Sequence, residues 1–122
     1  MPVRSLISPV LKWPDLATVD RAARIWAGEM AAQHPELIQA GYFGSYARGD
    51  WGVGSDLDLL AVVTFSPEPC ERRALSWDQS RLPVPADLLI YTEEEWQRLQ
   101  AQGGRFAQTV AREAVWVYPA PP

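Results

Sequence analysis

Cysteine, lysine and histidine are almost absent from this chain of 122 residues. Cys70, Lys12 and His34 are the only residues of their types. A single cysteine excludes an internal disulfide and any zinc site built on several cysteines, so we expect Cys70 to be an incidental thiol. A single histidine is likewise a poor metal site by itself. The chemistry of this chain must therefore rest on other residue types.

Long apolar runs are absent as well. No stretch approaches the roughly 20 apolar residues that a membrane-spanning helix needs, and the first ten residues, MPVRSLISPV, lack the apolar core of a signal peptide. From these two absences we expect no membrane association and a cytoplasmic location.

Positive charge is scarce and scattered. The formal net charge is −4, and the basic residues, almost all arginine, form no run. A protein that binds nucleic acid without sequence preference needs a positively charged surface. We therefore expect no direct nucleic-acid binding, and any phosphate must be handled locally, with the help of metal ions.

What is present is typical of a globular protein, since 48% of the residues are apolar and six are tryptophan. We expect one domain over residues 1–122, with 1–14 and 119–122 loosely ordered. The helix and strand patterns alternate along the chain, which predicts an α/β (α+β) structure with a mixed sheet packed against helices. The predicted strands are 37–43, 56–64, 86–91 and 115–118; the predicted helices are 15–33, 71–78, 92–103 and 105–112, with one helical turn at 45–49.

The most informative segment is Gly44–Leu60, which reads GSYARGDWGVGSDLDLL. The Gly44-Ser45 turn can bring backbone N–H groups close to a phosphate. Asp56 and Asp58 stand two residues apart at the head of an apolar strand, so their side chains are expected on one face. A phosphate-binding turn beside paired carboxylates suggests a site for a nucleoside triphosphate and magnesium.

Nucleotidyl transfer requires such a site, because two magnesium ions can stabilise both the attacking and the leaving oxygen. Asp87 can add a third carboxylate if its strand lies beside the strand of Asp58. Arg48 can steady the leaving pyrophosphate, although a surface ion pair with Asp50 is the simpler alternative. Trp51 can cap the core or meet a base or a partner.

This segment resembles the minimal nucleotidyltransferase (MNT) domains of the DNA polymerase β-like nucleotidyltransferase superfamily. Their signature is Gly-Ser, ten residues, and Asp-x-Asp, and the same spacing separates Gly44-Ser45 from Asp56-Leu57-Asp58. Arg48-Gly49 and Ser55 also fit the usual form of that motif. Including a later strand with a third carboxylate, matched by Asp87, the resemblance covers about residues 37–92.

The resemblance implies a polymerase β-like nucleotidyltransferase fold and a site of known composition. Gly44 and Ser45, with Arg48 and Ser55, are expected to bind the nucleotide. Asp56, Asp58 and Asp87 are expected to bind Mg²⁺, two ions in all, and Asp87 to help deprotonate the acceptor hydroxyl.

The resemblance also implies a function. Many MNT domains accompany HEPN-domain toxins, and some transfer AMP from ATP to a tyrosine of the toxin, so we expect an adenylyltransferase that acts as an antitoxin. Two alternatives remain open: a non-catalytic antitoxin that neutralises its partner by binding, and transfer to a small molecule. The nucleotide preference and any homo- or hetero-oligomer are left undetermined by the sequence.

Overall fold

The computed structural model describes residues 13–120. Within these residues, four strands and five α-helices follow one another in the order helix, strand, helix, strand, helix, strand, helix, helix, strand. The strands are β1 (Leu37–Phe43), β2 (Leu57–Val63), β3 (Ala86–Thr92) and β4 (Val115–Tyr118); the helices are α1 (Leu16–Gln33), α2 (Ser45–Arg48), α3 (Cys70–Arg73), α4 (Glu93–Gln102) and α5 (Arg105–Glu113).

The four strands form one mixed sheet in the order β3-β2-β1-β4. β1 pairs antiparallel with both β2 and β4, whereas β2 and β3 run parallel. A parallel neighbour needs a crossover, and the chain between β2 and β3 supplies it with α3 and the short 3₁₀ helix Ala74–Ser76. The mixed sheet expected from the sequence is confirmed.

β2 is buried on both faces, as its nearly continuous apolar sequence predicts. Alternate residues of the strand belong to two separate cores, because successive side chains point to opposite faces. Leu57, Leu59, Ala61 and Val63 pack in the core that includes Trp26 and Met30 of α1. Leu60 and Val62 pack with Trp96 of α4 and Val110 of α5. The sheet thus lies between α1 and the α4–α5 pair, and β2 runs through the middle.

The predicted elements differ from the observed ones mainly at their ends. β2 begins at Leu57 rather than Asp56, and the helix predicted over 71–78 is α3 followed by a 3₁₀ helix that ends at Ser76. A capping box begins α4: the Thr92 hydroxyl accepts from Glu95 N–H at 3.2 Å, and Glu95 Oε1 accepts from Thr92 N–H at 2.9 Å. Within residues 13–120, no helix is long and apolar enough to cross a membrane.

The segment before α1, predicted to be loosely ordered, is partly attached to the fold. Residues 1–12 lie outside the described part of the chain. The Pro14 carbonyl accepts a hydrogen bond of 2.9 Å from the hydroxyl of buried Tyr46, and Trp13 Nε1–H donates to the carbonyl of Ser55 at 3.3 Å. Both contacts bring the chain just before α1 to the predicted nucleotide site.

Candidate active site

Asp58 and Asp87 lie side by side on neighbouring strands. They are register partners in the parallel pair of β2 and β3, so their side chains leave the same face of the sheet. On the other side of Asp58, its partner in β1 is Phe43, and Gly44 follows directly. Asp58 is half-buried, whereas Asp56 and Asp87 are exposed. The sheet therefore brings a carboxylate pair to the end of β1, beside the Gly44-Ser45 turn.

Gly44 is required by two independent constraints. Its φ of 82° and ψ of −153° lie in a region that is open essentially only to glycine. A Cβ atom at this position would also overlap the Oδ2 atom of Asp58. A side chain at residue 44 would therefore require the Asp58 carboxylate to move, and glycine lets the turn lie against the carboxylate in its observed position.

The electrostatics of Asp58 are those of a carboxylate beside other carboxylates. Burial, followed by the negative charges of Asp87 and Asp56, raises the pKa of Asp58 above its usual value of 3.8. The positive charge of Arg48 acts in the opposite direction, and Glu113 adds a further negative contribution. Asp56 and Asp87 are thus both within electrostatic reach of Asp58, in a place that would favour a bound cation.

Ser45 begins the short helix α2 directly after this turn, and its side chain is half-buried. Within the described residues its hydroxyl makes no hydrogen bond. The helical turn is held instead by a backbone hydrogen bond of 2.9 Å from Arg48 N–H to the Gly44 carbonyl. The Ser45 hydroxyl can therefore bind a ligand without breaking a contact of the fold.

Ser55 holds the loop before β2 together. Its hydroxyl accepts a hydrogen bond of 2.8 Å from Gly52 N–H, and its own N–H donates to the Gly52 carbonyl at 3.0 Å. Trp51 stacks on the ring of Tyr46, with 5.6 Å between centroids and 10° between planes. The structure thus places Trp51 against the core, and it gives Ser55 a role in the loop that carries Asp56.

Arg48 is held by two carboxylates. Its Nε–H donates to Asp50 Oδ2 at 3.1 Å, which is the ion pair that the sequence analysis kept as an alternative. Its Nη1 donates to Glu113 Oε1 at 3.0 Å and approaches Oε2 at 3.4 Å. Sequence reasoning missed Glu113, because 65 residues separate it from Arg48 and nothing in its local pattern points to the site.

The donor set fits magnesium, although it is not a preformed cage. Among residues 13–120, no three carboxylate, imidazole or thiol groups are arranged tightly enough to enclose a metal ion by themselves. Magnesium usually keeps several waters and is bound through one or two carboxylates plus substrate phosphates. The adjacent carboxylates of Asp58 and Asp87, with Asp56 nearby and a raised pKa at Asp58, match that requirement.

The model of the nucleotidyltransferase domain family matches residues 27–116, which is most of the chain. The chain belongs to this family. The predicted family is therefore confirmed, and the matched region contains the whole Gly44–Leu60 segment and Asp87.

Two kinds of relative agree with this family. A protein of Methanocaldococcus jannaschii named "Putative protein adenylyltransferase MJ0141" is 42% identical over 48 residues, which is 39% of this chain and 48% of that protein. The chain thus matches about half of that relative's length. A crystal structure of "a putative nucleotidyltransferase from Sulfolobus solfataricus" superposes with a TM-score of 0.58 at 20% identity, over 83% of this chain and 80% of the other.

Two further solved structures share the nucleotidyltransferase fold at lower identity. One is a toxin–antitoxin with AMP-PNP, with a TM-score of 0.52 and 17% identity over 78% of this chain and 72% of that one. The other is a mutant of the toxin–antitoxin MntA-HpeT, with a TM-score of 0.50 and 14% identity over 78% and 71%. The expected polymerase β-like fold is therefore confirmed.

Proposed function

We propose that this protein is a Mg²⁺-dependent nucleotidyltransferase that moves AMP from ATP onto a protein hydroxyl. The observation that carries the proposal is the register pairing of Asp58 with Asp87, beside a turn that only glycine at position 44 allows. Carboxylates in this position, next to a phosphate-binding turn, are what in-line attack on an α-phosphate needs. The family membership supports the same class of reaction.

Each residue has a defined part in this proposal. Gly44 and Ser45 bind the terminal phosphates through backbone N–H groups and the free hydroxyl, and Arg48 neutralises the leaving pyrophosphate. Ser55 supports the nucleotide site by fixing the loop before β2. Asp56, Asp58 and Asp87 would hold one or two Mg²⁺ ions, which supply charge stabilisation at the transferring phosphate. Asp87, exposed at the start of β3, also accepts the proton of the incoming hydroxyl.

The donor and acceptor are proposed from the relatives. An AMP-PNP complex is known for one toxin–antitoxin of this fold, and a relative in sequence is named as a protein adenylyltransferase. We therefore propose ATP as donor, a protein as acceptor and the role of antitoxin. From the resemblance to MNT domains we propose a tyrosine of a HEPN-type toxin as the acceptor, and as location the cytoplasm, where ATP is available. The net charge of −4 supports a protein rather than a nucleic acid as the partner.

The decisive experiment is incubation with α-labelled ATP and Mg²⁺, with and without the product of the adjacent gene, followed by mass spectrometry of both proteins. We expect one added AMP on the partner, lost in Asp56→Ala and Asp58→Ala. Glu94→Gln is the matched control, because it removes an exposed carboxylate whose ion pair with Arg98 lies within α4. A stable complex without AMP transfer would instead identify a non-catalytic binding antitoxin, provided that both aspartate variants still neutralise the partner toxin.

A further inference from the structure

Glu113 is in an unusual position for a carboxylate. It is the last residue of α5, where a negative charge opposes the helix dipole. Its side chain is only 8% exposed, and its charge reaches Asp58 and adds to the repulsion at that site. A carboxylate with so little exposure at a helix C-terminus, close enough to Asp58 to raise its pKa, goes against local electrostatic preference. Such exceptions are expected at functional or strained sites.

The compensating contact is Arg48. The ion pair of 3.0 Å between Arg48 Nη1 and Glu113 Oε1 joins α2 to the end of α5 across the site. Asp50 holds the Nε–H of the same guanidinium from a second direction. A long arginine side chain that is about half exposed would otherwise sample many rotamers. The two carboxylates therefore favour the orientation in which the guanidinium contacts both of them.

This arrangement leaves part of the guanidinium available. Arginine has five N–H donors in a rigid fork, and within residues 13–120 the Nη2 group of Arg48 donates to no acceptor. Arg48 is also close enough to Asp58 for its positive charge to oppose the rise in the pKa of Asp58. A phosphate can thus bind to Arg48 without displacing either Asp50 or Glu113.

We propose that Glu113 is a positioning residue for the nucleotide, acting through Arg48. It holds the guanidinium beside the aspartates before ATP arrives, so that the free Nη2 group meets a triphosphate oxygen with little further loss of entropy. The inference rests on the proposed function, because it takes Arg48 to contact the phosphates.

The test is a double-mutant cycle of Glu113→Gln and Arg48→Ala. Glutamine keeps the size of the side chain and removes its charge. The dissociation constant of Mg²⁺-ATP is measured by calorimetry, KM and kcat are measured for AMP transfer, and thermal melting checks that each variant is folded. Glu94→Gln is the matched control, because it removes the carboxylate of another arginine pair away from the site.

We expect Glu113→Gln to weaken ATP binding and raise KM about tenfold, with kcat changed by less than about twofold. In the Arg48→Ala background, the same substitution should not weaken ATP binding further. A merely structural role of Glu113 would instead weaken binding in both backgrounds. The control should bind like the wild type.

Three results would overturn the inference: unchanged ATP affinity in Glu113→Gln, tighter binding in that variant, or an equal loss in the Arg48→Ala background. Wild-type protein that binds ATP but transfers no AMP would contradict the proposed function alone, and the binding cycle would still decide the role of Glu113. Wild-type protein that does not bind Mg²⁺-ATP would refute both.

Discussion

Gly44 and Gly49 flank α2, and together they separate two effects of a glycine substitution. Both have positive φ, 82° and 85°. Gly44 has a combination of φ and ψ that essentially only glycine tolerates, and a Cβ at this position would overlap Asp58 Oδ2. A Cβ on Gly49 would meet nothing within 4 Å. Backbone geometry is therefore the only penalty at position 49, while position 44 adds a steric one.

We predict that Gly44→Ala lowers the free energy of unfolding by about 1–3 kcal/mol through backbone strain alone, with a further loss from the clash, and abolishes AMP transfer. Gly49→Ala should lower it by only about 1–2 kcal/mol and leave transfer measurable. Urea denaturation of both variants measures the difference. Equal destabilisation of the two variants would contradict the close contact between residue 44 and Asp58.

Asp58 should behave as a residue kept for function rather than stability. Its raised pKa means that the ionised form is disfavoured in the folded protein, so this penalty exists at neutral pH and vanishes as the pH falls below 3.8. In metal-free buffer at pH 7, Asp58→Asn should therefore be at least as stable as the wild type, and any gain should disappear near pH 3. Urea denaturation at both pH values is the measurement, and a clear loss of stability at pH 7 would contradict the prediction.

Whether a site residue could be predicted depends on its distance along the chain from the other site residues. Gly44, Ser45, Asp56 and Asp58 fall within one short motif, so their proximity follows from local spacing. Asp87 could be placed only on the condition that β3 lies beside β2, which the parallel pairing satisfies. The ion pair from Arg48 to Glu113 joins residues far apart in sequence, and only the packing of α5 brings them together.

Among the elements, the strands could be predicted and their order could not. Apolar runs marked all four strands, because β-strand side chains alternate between two cores. The β3-β2-β1-β4 order depends on a crossover that no local pattern encodes. The predicted helix at 71–78 is divided into α3 and a 3₁₀ helix, and Arg73, at the junction, donates to the Ile90 carbonyl at 3.0 Å and to Glu95 Oε1 at 2.6 Å.

The ion pair of Arg73 and Glu95 fastens α3 to the start of α4. Arg73 is 7% exposed and Glu95 33%, and the hydrogen bonds from Arg73 lower the pKa of Glu95 from 4.5 to about 2. Since the folded pKa is depressed, the carboxylate stabilises the fold fully above pH 4.5, and this contribution is lost as the pH falls through about 2.

We predict that Glu95→Gln lowers the free energy of unfolding at pH 7 by about 1–2 kcal/mol, less than for a fully buried pair, because solvent reaches Glu95. Glutamine can still form the capping box, so the loss reports the charge. The difference from the wild type should shrink between pH 4.5 and 2 in urea titrations. Glu94→Gln is the control, because the Glu94 side chain is 85% exposed in its pair with Arg98. An equal loss in this variant would contradict a stabilising role of the Glu95 charge.

On the scale of the whole molecule, the two cores and the site have opposite requirements. β2 is anchored on both faces by apolar packing, and that rigidity allows acidic side chains to be held together at its beginning, where they repel one another. A bound cation and a triphosphate would relieve the repulsion in the folded state, and the unfolded chain offers no equivalent site. Ligand binding should therefore raise the stability of the entire fold.

We predict that Mg²⁺-ATP at about 100 times its dissociation constant stabilises the wild type by about 2.7 kcal/mol. ATP with EDTA should do much less, because the aspartates then face the triphosphate without a cation between them. Asp58→Asn should gain little from Mg²⁺-ATP at the same concentration, whereas Glu94→Gln should gain as much as the wild type. Thermal melting with and without ligand measures all four cases. Removal of one of the paired charges must weaken the binding of any cation that bridges the aspartates to the phosphates. Equal stabilisation of Asp58→Asn and the wild type would therefore mean that the nucleotide binds away from the paired aspartates.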